Sequence, residues 1–311
     1  MRTIELDYPV YTLDSRLLLP AGDKLTSKIL DELIAKNKGT FYRGIPFLEQ
    51  GTNYHDIQRL LQEPPYNLIF GEQERAFAFS LMKKISFIAP VLEFLNYFKE
   101  HDFYTYRHTL MVFALSTILA RDLVGKSEDL IMEAMAGTIH DFGKICVPLE
   151  ILKKSDPLTR TNRNILEHHT SAGFVLLSYF HQDHRSFAAR VAKEHHERRD
   201  GSGYPLGISL RDIMVETIAA CDVYDALLSP RPYRPTPYDN RTALEEITAM
   251  AQQGQLSWKV VQVLISHNRK DKPHFRECKV SIEKRGTPPP GNLYGVIIDE
   301  EPNKSEGKDD E

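Results

Sequence analysis

Residues 134–144 read Ala-Met-Ala-Gly-Thr-Ile-His-Asp-Phe-Gly-Lys, and the pair His140-Asp141 in that apolar run decides how the chain is read. A His–Asp pair inside a core-like helix is costly to bury unless a cation takes up the charge. On a helix, Lys144 falls four residues after His140 and three after Asp141, so all three can point into one pocket. Imidazole and carboxylate together suit hydrolytic Zn, Fe or Mn. Taken alone, the pair is equally consistent with a helix end carrying ordinary surface groups.

Four other segments tilt the balance. His169 is spaced three and four residues from Leu166 and Ile165 and four from Gly173, on the packed face of a helix. His168 points about 100° away from it. His195 and His196 end a segment whose apolar positions 188, 191 and 192 share a stripe with His195. Asp222 is an acid within the apolar helix 217–228, and His108 opens a nearly continuous apolar helix from Leu110 to Ala120. Any one of these reads as a satisfied core histidine or a capping acid. Five in order, each turned toward the core, point to a metal cluster.

These residues resemble a known signature. His140-Asp141 with Lys144, His195-His196-Glu197, Asp200-Gly-Ser-Gly-Tyr-Pro205, Asp222-Val-Tyr-Asp225 and Arg231-Pro-Tyr-Arg234 look like the motifs of the HD-GYP phosphodiesterases. These are bacterial hydrolases of cyclic di-GMP within the wider HD superfamily. The resemblance covers about residues 100–270, and Gly203-Tyr204-Pro205 is intact. It implies a mainly α fold, an HD-type helical bundle. It implies two divalent ions, Fe or Mn with Zn as an alternative, bridged by Asp141. His108, His140 and Asp222 would hold one ion, and His169, His195 and His196 the other. Some family members bind a third ion through a Glu four residues before the first His; here that position is Tyr104, hence the expectation of a binuclear site.

The resemblance also implies a chemistry. A hydroxide bridging the ions would attack a phosphodiester of cyclic di-GMP, giving linear pGpG, with further hydrolysis to GMP left open. Lys144 would stabilise charge on the phosphoryl oxygens. Asp225, three residues after Asp222, is expected to accept from guanine, and Arg231 and Arg234 to bind phosphate. Tyr204 is expected to stack on a base or meet a protein partner. The alternatives are hydrolysis of another cyclic dinucleotide or phosphoester, or a cyclic-dinucleotide receptor or scaffold without turnover.

Composition fits such a protein. The chain has 311 residues, 41% hydrophobic and 26% charged, as for an ordinary globular protein. Its net charge of -4 is a property of the end: residues 299–311 hold seven acids and two lysines, leaving 36 acids and 37 bases elsewhere. A neutral body argues against a nucleic-acid surface. No apolar run approaches the length of a membrane span, the first residues lack a signal-peptide core, and the three cysteines show no pairing or ligand spacing. A cytoplasmic protein is expected.

The pattern divides the chain into four parts. Residues 1–50 read as a small α/β module: strands around Asp14-Ser15, a helix capped by Thr26 or Ser27, and a strand at 40–43. The module is a second candidate surface for a protein partner. Residues 51–72, with Pro64-Pro65, form a connector. Residues 73–275 form the catalytic helices, beginning with one helix from about Glu72 to Glu100 and ending with one capped by Ser257. Residues 276–311 form an extension in which 293–298 is a strand that folds back on the N-terminal module, followed by a disordered acidic tail from 301.

Overall fold

The computed structural model describes residues 3–125, 127, 131, 139–293 and 296–299. The expected helix over 134–138 and the acidic tail from 301 lie outside them. The fold is mainly α, as the sequence implies. At its centre is a 22-residue helix, α6 (Phe103–Val124), following α1 (Ser27–Ala35), α2 (Asn53–Leu60), α3 (Tyr66–Ile69), α4 (Glu72–Met82) and α5 (Ala89–His101). Every residue of α6 from His108 to Ala120 is buried, so it is wrapped on all sides. After it come α7 (Leu149–Leu152), α8 (Arg160–Glu167), α9 (His169–His181), α10 (Phe187–Glu194), α11 (Ile213–Leu228), α12 (Asn240–Gln252) and α13 (Trp258–His267).

Side-chain caps explain several helix starts. Thr26, Thr159, Ser186 and Asp239 each accept from the amide three residues on, which satisfies an otherwise orphaned donor. Asp212 accepts from Met214 and Val215 at the start of α11. Ser257 occupies the cap position of α13 as expected, but its side chain makes no capping hydrogen bond.

Three expectations are corrected. The helix from Glu72 to Glu100 is broken into α4 and α5 by a turn and a short strand, β4 (Ser86–Phe87). Pro90 lies in the first turn of α5, where its missing N–H costs nothing; in one long helix its ring would clash with the preceding turn. The strand placed at 40–43 is not there: Phe41 is 89% exposed, and β3 (Ile45–Pro46) pairs with β4 instead. The first hairpin, β1 (Val10–Tyr11) with β2 (Leu17–Leu19), is present around Ser15, which turns with φ 63°.

The third correction concerns the C-terminal extension. It does not return to the N-terminal module. Its β6 (Ile297–Ile298) pairs in parallel with β5 (Leu158–Thr159), between α7 and α8. The extension is led there by anchors on the catalytic helices. Arg285 and Gly286 amides donate to Glu245 Oε2 at 3.0 and 2.7 Å, and the Leu293 amide donates to the Tyr233 carbonyl. The N-terminal residues dock on α9 through Asn37 Nδ2 to the Tyr179 carbonyl, and share one continuous apolar core with the rest.

One contact sets the position of the site. The 3-10 turn Phe142–Cys146 lies directly on the start of α9. A Cβ on Gly143 would sit 1.9 Å from the His169 carbonyl oxygen and 2.4 Å from the Gly173 nitrogen. Gly143→Ala is therefore expected to force backbone apart and cost on the order of 3 kcal/mol. Thermal unfolding of the metal-free protein reads this; an unchanged melting temperature would show that the two segments are not closely packed.

Candidate metal centre

His140 and Asp141 are not inside a helix, as the sequence reading had it; they sit in the turn before the 3-10 segment that carries Lys144. The three-residue spacing still brings Lys144 Nζ to 2.6 Å from Asp141 Oδ2. His108 comes from the second turn of α6, His169 from the first residue of α9, His195 and His196 from the end of α10, and Asp222 from the middle of α11. The structure brings all seven expected ligands together.

Asp141 lies between two sets of imidazoles. Its Oδ2 is 3.4 Å from His140 Nε2 and 3.7 Å from His108 Nε2. Its Oδ1 is 3.5 Å from His169 Nε2 and 4.0 Å from His195 Nε2. Asp222 spans the same gap, with Oδ1 at 3.1 Å from His108 Nε2 and Oδ2 at 3.9 Å from His196 Nδ1. The donor atoms of His108, His140 and Asp222 lie within 4.8 Å of one another, as do those of His169, His195 and His196.

Hydrogen bonds behind the rings fix which nitrogen faces inward. His169 Nδ1 is 2.5 Å from the Leu166 carbonyl, and His195 Nδ1 is 3.0 Å from the carbonyls of Val191 and Ala192. Facing a carbonyl, Nδ1 carries the proton and Nε2 presents a lone pair. The two Nε2 atoms then face each other at 3.3 Å with no proton to share. Two buried lone pairs at that distance repel unless a cation lies against both. His108 Nε2 faces Asp222 Oδ1 at 3.1 Å, while its Nδ1 meets Asp225 Oδ2 at 2.7 Å. The donor set fits divalent metal, nitrogen-rich with carboxylates between.

The electrostatics of the two sets differ. Burial pushes His169 down to about 4, and burial plus neighbouring imidazoles holds His195 and His196 well below the ordinary range, which favours the neutral rings. Burial opposes ionisation of Asp141, but Lys144 and His140 hold its carboxyl well below the usual range. Asp222 is also held low against its burial, by His108 and His196. For His108 burial is outweighed by Asp222 and Asp225, and its pKa is raised.

One expected substrate contact is corrected. Asp225 is fully buried and does not line the cavity. Three residues along a helix is a 60° turn from Asp222, and that turn aims it at α3 and α6. It accepts from Tyr66 Oη, from Arg107 Nη1 at 3.0 Å and from His108. Arg234, 3% exposed, spends its Nη2 on the carbonyls of Ala226, Leu227 and Ser229, and so ties the loop after α11 to that helix. Arg234 nonetheless lines the cavity, as does Arg231. The Arg231 guanidinium lies 3.9 Å from the ring centroid of Tyr104, which is itself stacked on His108.

Sequence reasoning quoted Glu197 without giving it a task. Its carboxylate accepts from the amides of Leu206 at 2.6 Å and Ile208 at 2.9 Å, pinning the loop that holds Gly203-Tyr204-Pro205. A Cβ on Gly203 would come within 2.3 Å of the His196 carbonyl, so only glycine lets this loop close on the ligands. Tyr204 stacks on His196 at 4.6 Å between centroids. Tyr66 and Arg107 were not singled out either; a partner more than a hundred residues away leaves no local pattern.

A cavity of about 340 Å³ opens onto the metal-ligand side chains. Its wall includes Asp141, Lys144, His196, Arg198, Tyr204 and Arg231. Leu293, Val296 and Ile297 of the C-terminal extension complete it.

Comparison with known proteins agrees with this geometry. The HD domain family model matches residues 96–257, just over half of the chain. A cyclic di-GMP phosphodiesterase of Thermotoga maritima is 33% identical over 225 residues, 66% of this chain and 60% of that protein. Cyclic di-GMP phosphodiesterase PA4108 of Pseudomonas aeruginosa is 40% identical over 139 residues, 44% of this chain and 33% of its own. 3'3'-cGAMP-specific phosphodiesterase 1 of Vibrio cholerae is 36% identical over 134 residues, 42% of this chain and 30% of its own. The chain thus spans less than two thirds of the length of each of these relatives. Among the described residues no helix is long and apolar enough to cross a membrane. With its ligand set gathered around His140-Asp141 and its Gly-Tyr-Pro loop closed over them, this chain belongs to the HD domain family and is of its HD-GYP type.

Proposed function

We propose that this chain is a divalent-metal-dependent phosphodiesterase that opens cyclic di-GMP to linear pGpG in the cytoplasm. The observation that carries the reading is the pair of bare imidazole nitrogens, His169 Nε2 and His195 Nε2, 3.3 Å apart beside one oxygen of Asp141. The other oxygen faces His108 and His140, which makes room for two ions, one held by each histidine set. When bound, such ions polarise a phosphoryl oxygen and acidify a water nucleophile. His108, His140 and Asp222 would hold one, His169, His195 and His196 the other, with Asp141 available to both. The mixed nitrogen and carboxylate set favours Fe or Mn, with Zn as the alternative.

The chain's own residues do the rest. Lys144 is fixed against Asp141 and lines the cavity, so it places positive charge where a phosphodiester would lie. Arg231 is clamped on Tyr104 with its Nε buried and unpartnered, ready to donate to a phosphate oxygen. Arg231→Ala is expected to raise KM on the order of tenfold or more while metal content stays the same. Equal KM values would remove Arg231 from the phosphate site.

A second reading has its own support. With Asp225 turned away from the cavity, the guanine-selective acceptor assigned to it is missing there, and relatives specific for 3'3'-cGAMP share the same stretch of chain. The deciding experiment is metal analysis of protein purified without oxygen, followed by turnover of cyclic di-GMP, 3'3'-cGAMP and cyclic di-AMP. Preferred cleavage of cyclic di-GMP to pGpG supports the first reading, and preferred cleavage of the mixed dinucleotide the second. Metal-loaded protein that binds these compounds without cleaving them is a receptor, and both readings fall.

A further inference from the structure

We infer that Tyr66, from the connector outside the HD domain match, is a positioning residue for the metal ligand His108, acting through Asp225. The inference rests on the metal-centre reading above and goes beyond it by bringing in a part of the chain that the family match, residues 96–257, does not include.

The geometry is a buried relay. Tyr66 Oη donates to Asp225 Oδ1, and Asp225 Oδ2 faces His108 Nδ1 at 2.7 Å. His108 Nε2 points the other way, to Asp141 and Asp222. Tyr66 is 1% exposed, and Asp225 and His108 are fully buried. In such surroundings a carboxylate keeps one orientation only while each oxygen has a donor. Oδ1 has two, Tyr66 and Arg107 Nη1 at 3.0 Å; Oδ2 has His108, with longer contacts to Arg107 Nη1 at 3.3 Å and Ser229. Arg107 also lies 5.4 Å from the centroid of the Tyr66 ring, so the phenol and the guanidinium hold one another in place.

The second imidazole set has a different support. His169 and His195 are oriented by backbone carbonyls of the turn just before each, Leu166 for one and Val191 and Ala192 for the other. Only the His108 side depends on a side chain brought in from the connector. The state of residues 51–72 is thereby linked to one ion of the pair and not to the other.

Tyr66→Phe tests this, because it keeps the ring and removes the hydroxyl. Mn2+ titration of metal-free protein, followed by calorimetry and electron spin resonance, separates the two ions. Expected is one affinity like that of wild type and one weakened about three- to tenfold, since groups directly behind a ligand are worth about 10–100-fold and this one is a step further back. Spin-coupled signal should give way to isolated Mn2+ at intermediate loading. Tyr106→Phe is the control for loss of a buried hydroxyl: its phenol bonds Asn53 and Asp56, away from Asp225, and both affinities should stay as in wild type. Two unchanged affinities in Tyr66→Phe, or equal weakening of both, overturn the inference while leaving the metal centre standing. Wild-type protein that takes up no divalent ion overturns the centre itself.

Discussion

Asp141→Ala is expected to empty both metal positions and lower phosphodiesterase turnover by more than about 10³-fold. The reason is the placement of its two oxygens, one toward His108 and His140 and the other toward His169 and His195. Each imidazole set keeps three ligands of its own in part, but the charge that lets two dications lie side by side goes with the carboxylate. Lys144 also loses its ion-pair partner, and a buried ammonium without an anion repels the metal it formerly helped to organise. Because bound metal stabilises the folded state, the variant should lose the rise in melting temperature that Mn2+ gives wild type. Elemental analysis and a melting curve with and without Mn2+ read both effects. A variant that still holds two ions and turns over substrate would place the chemistry elsewhere.

Asp225→Ala should be the most damaging change that touches neither metal nor substrate. It leaves Arg107, whose side chain is 18% exposed, without its carboxylate, and takes the support from His108 Nδ1. Breaking a buried ion pair by removing one partner costs about 3–5 kcal/mol, and losing the group behind a ligand weakens metal binding about 10–100-fold. Selectivity among cyclic dinucleotides, measured on the fraction that remains metal-loaded, should be the same as in wild type. Altered base preference with normal stability would restore the guanine contact that the fold argues against.

The contrast between Asp222 and Asp225 shows where sequence reading works and where it stops. Asp222, His169 and His195 were legible because a polar group on the apolar stripe of a helix needs a reason, and periodicity alone reveals the stripe. Asp225 shares that helix and that apolar context, yet a 60° turn sends it to a different neighbour, and the neighbour, Tyr66, is 159 residues away in sequence. Arg234 was assigned to phosphate through the motif it shares with Arg231; its further hydrogen bonds to Ala226 and Leu227 depend on how the loop folds back, which composition does not record. The broken helix at 83–88 had a signal, Pro90, that the apolar pattern on either side concealed. The two-residue strands had none, since pairs such as Leu158 with Ile297 are chosen by which edge the chain happens to reach.

The last described stretch of the chain has an evolutionary consequence. Leu293, Val296 and Ile297 furnish part of the cavity wall, yet they follow the HD domain match by more than thirty residues and carry none of the metal ligands. A protein built this way keeps its hydrolytic apparatus and its choice of ligand on separate stretches of the gene. Drift, truncation or recombination in the extension can reshape the cavity wall without touching a histidine or aspartate of the cluster.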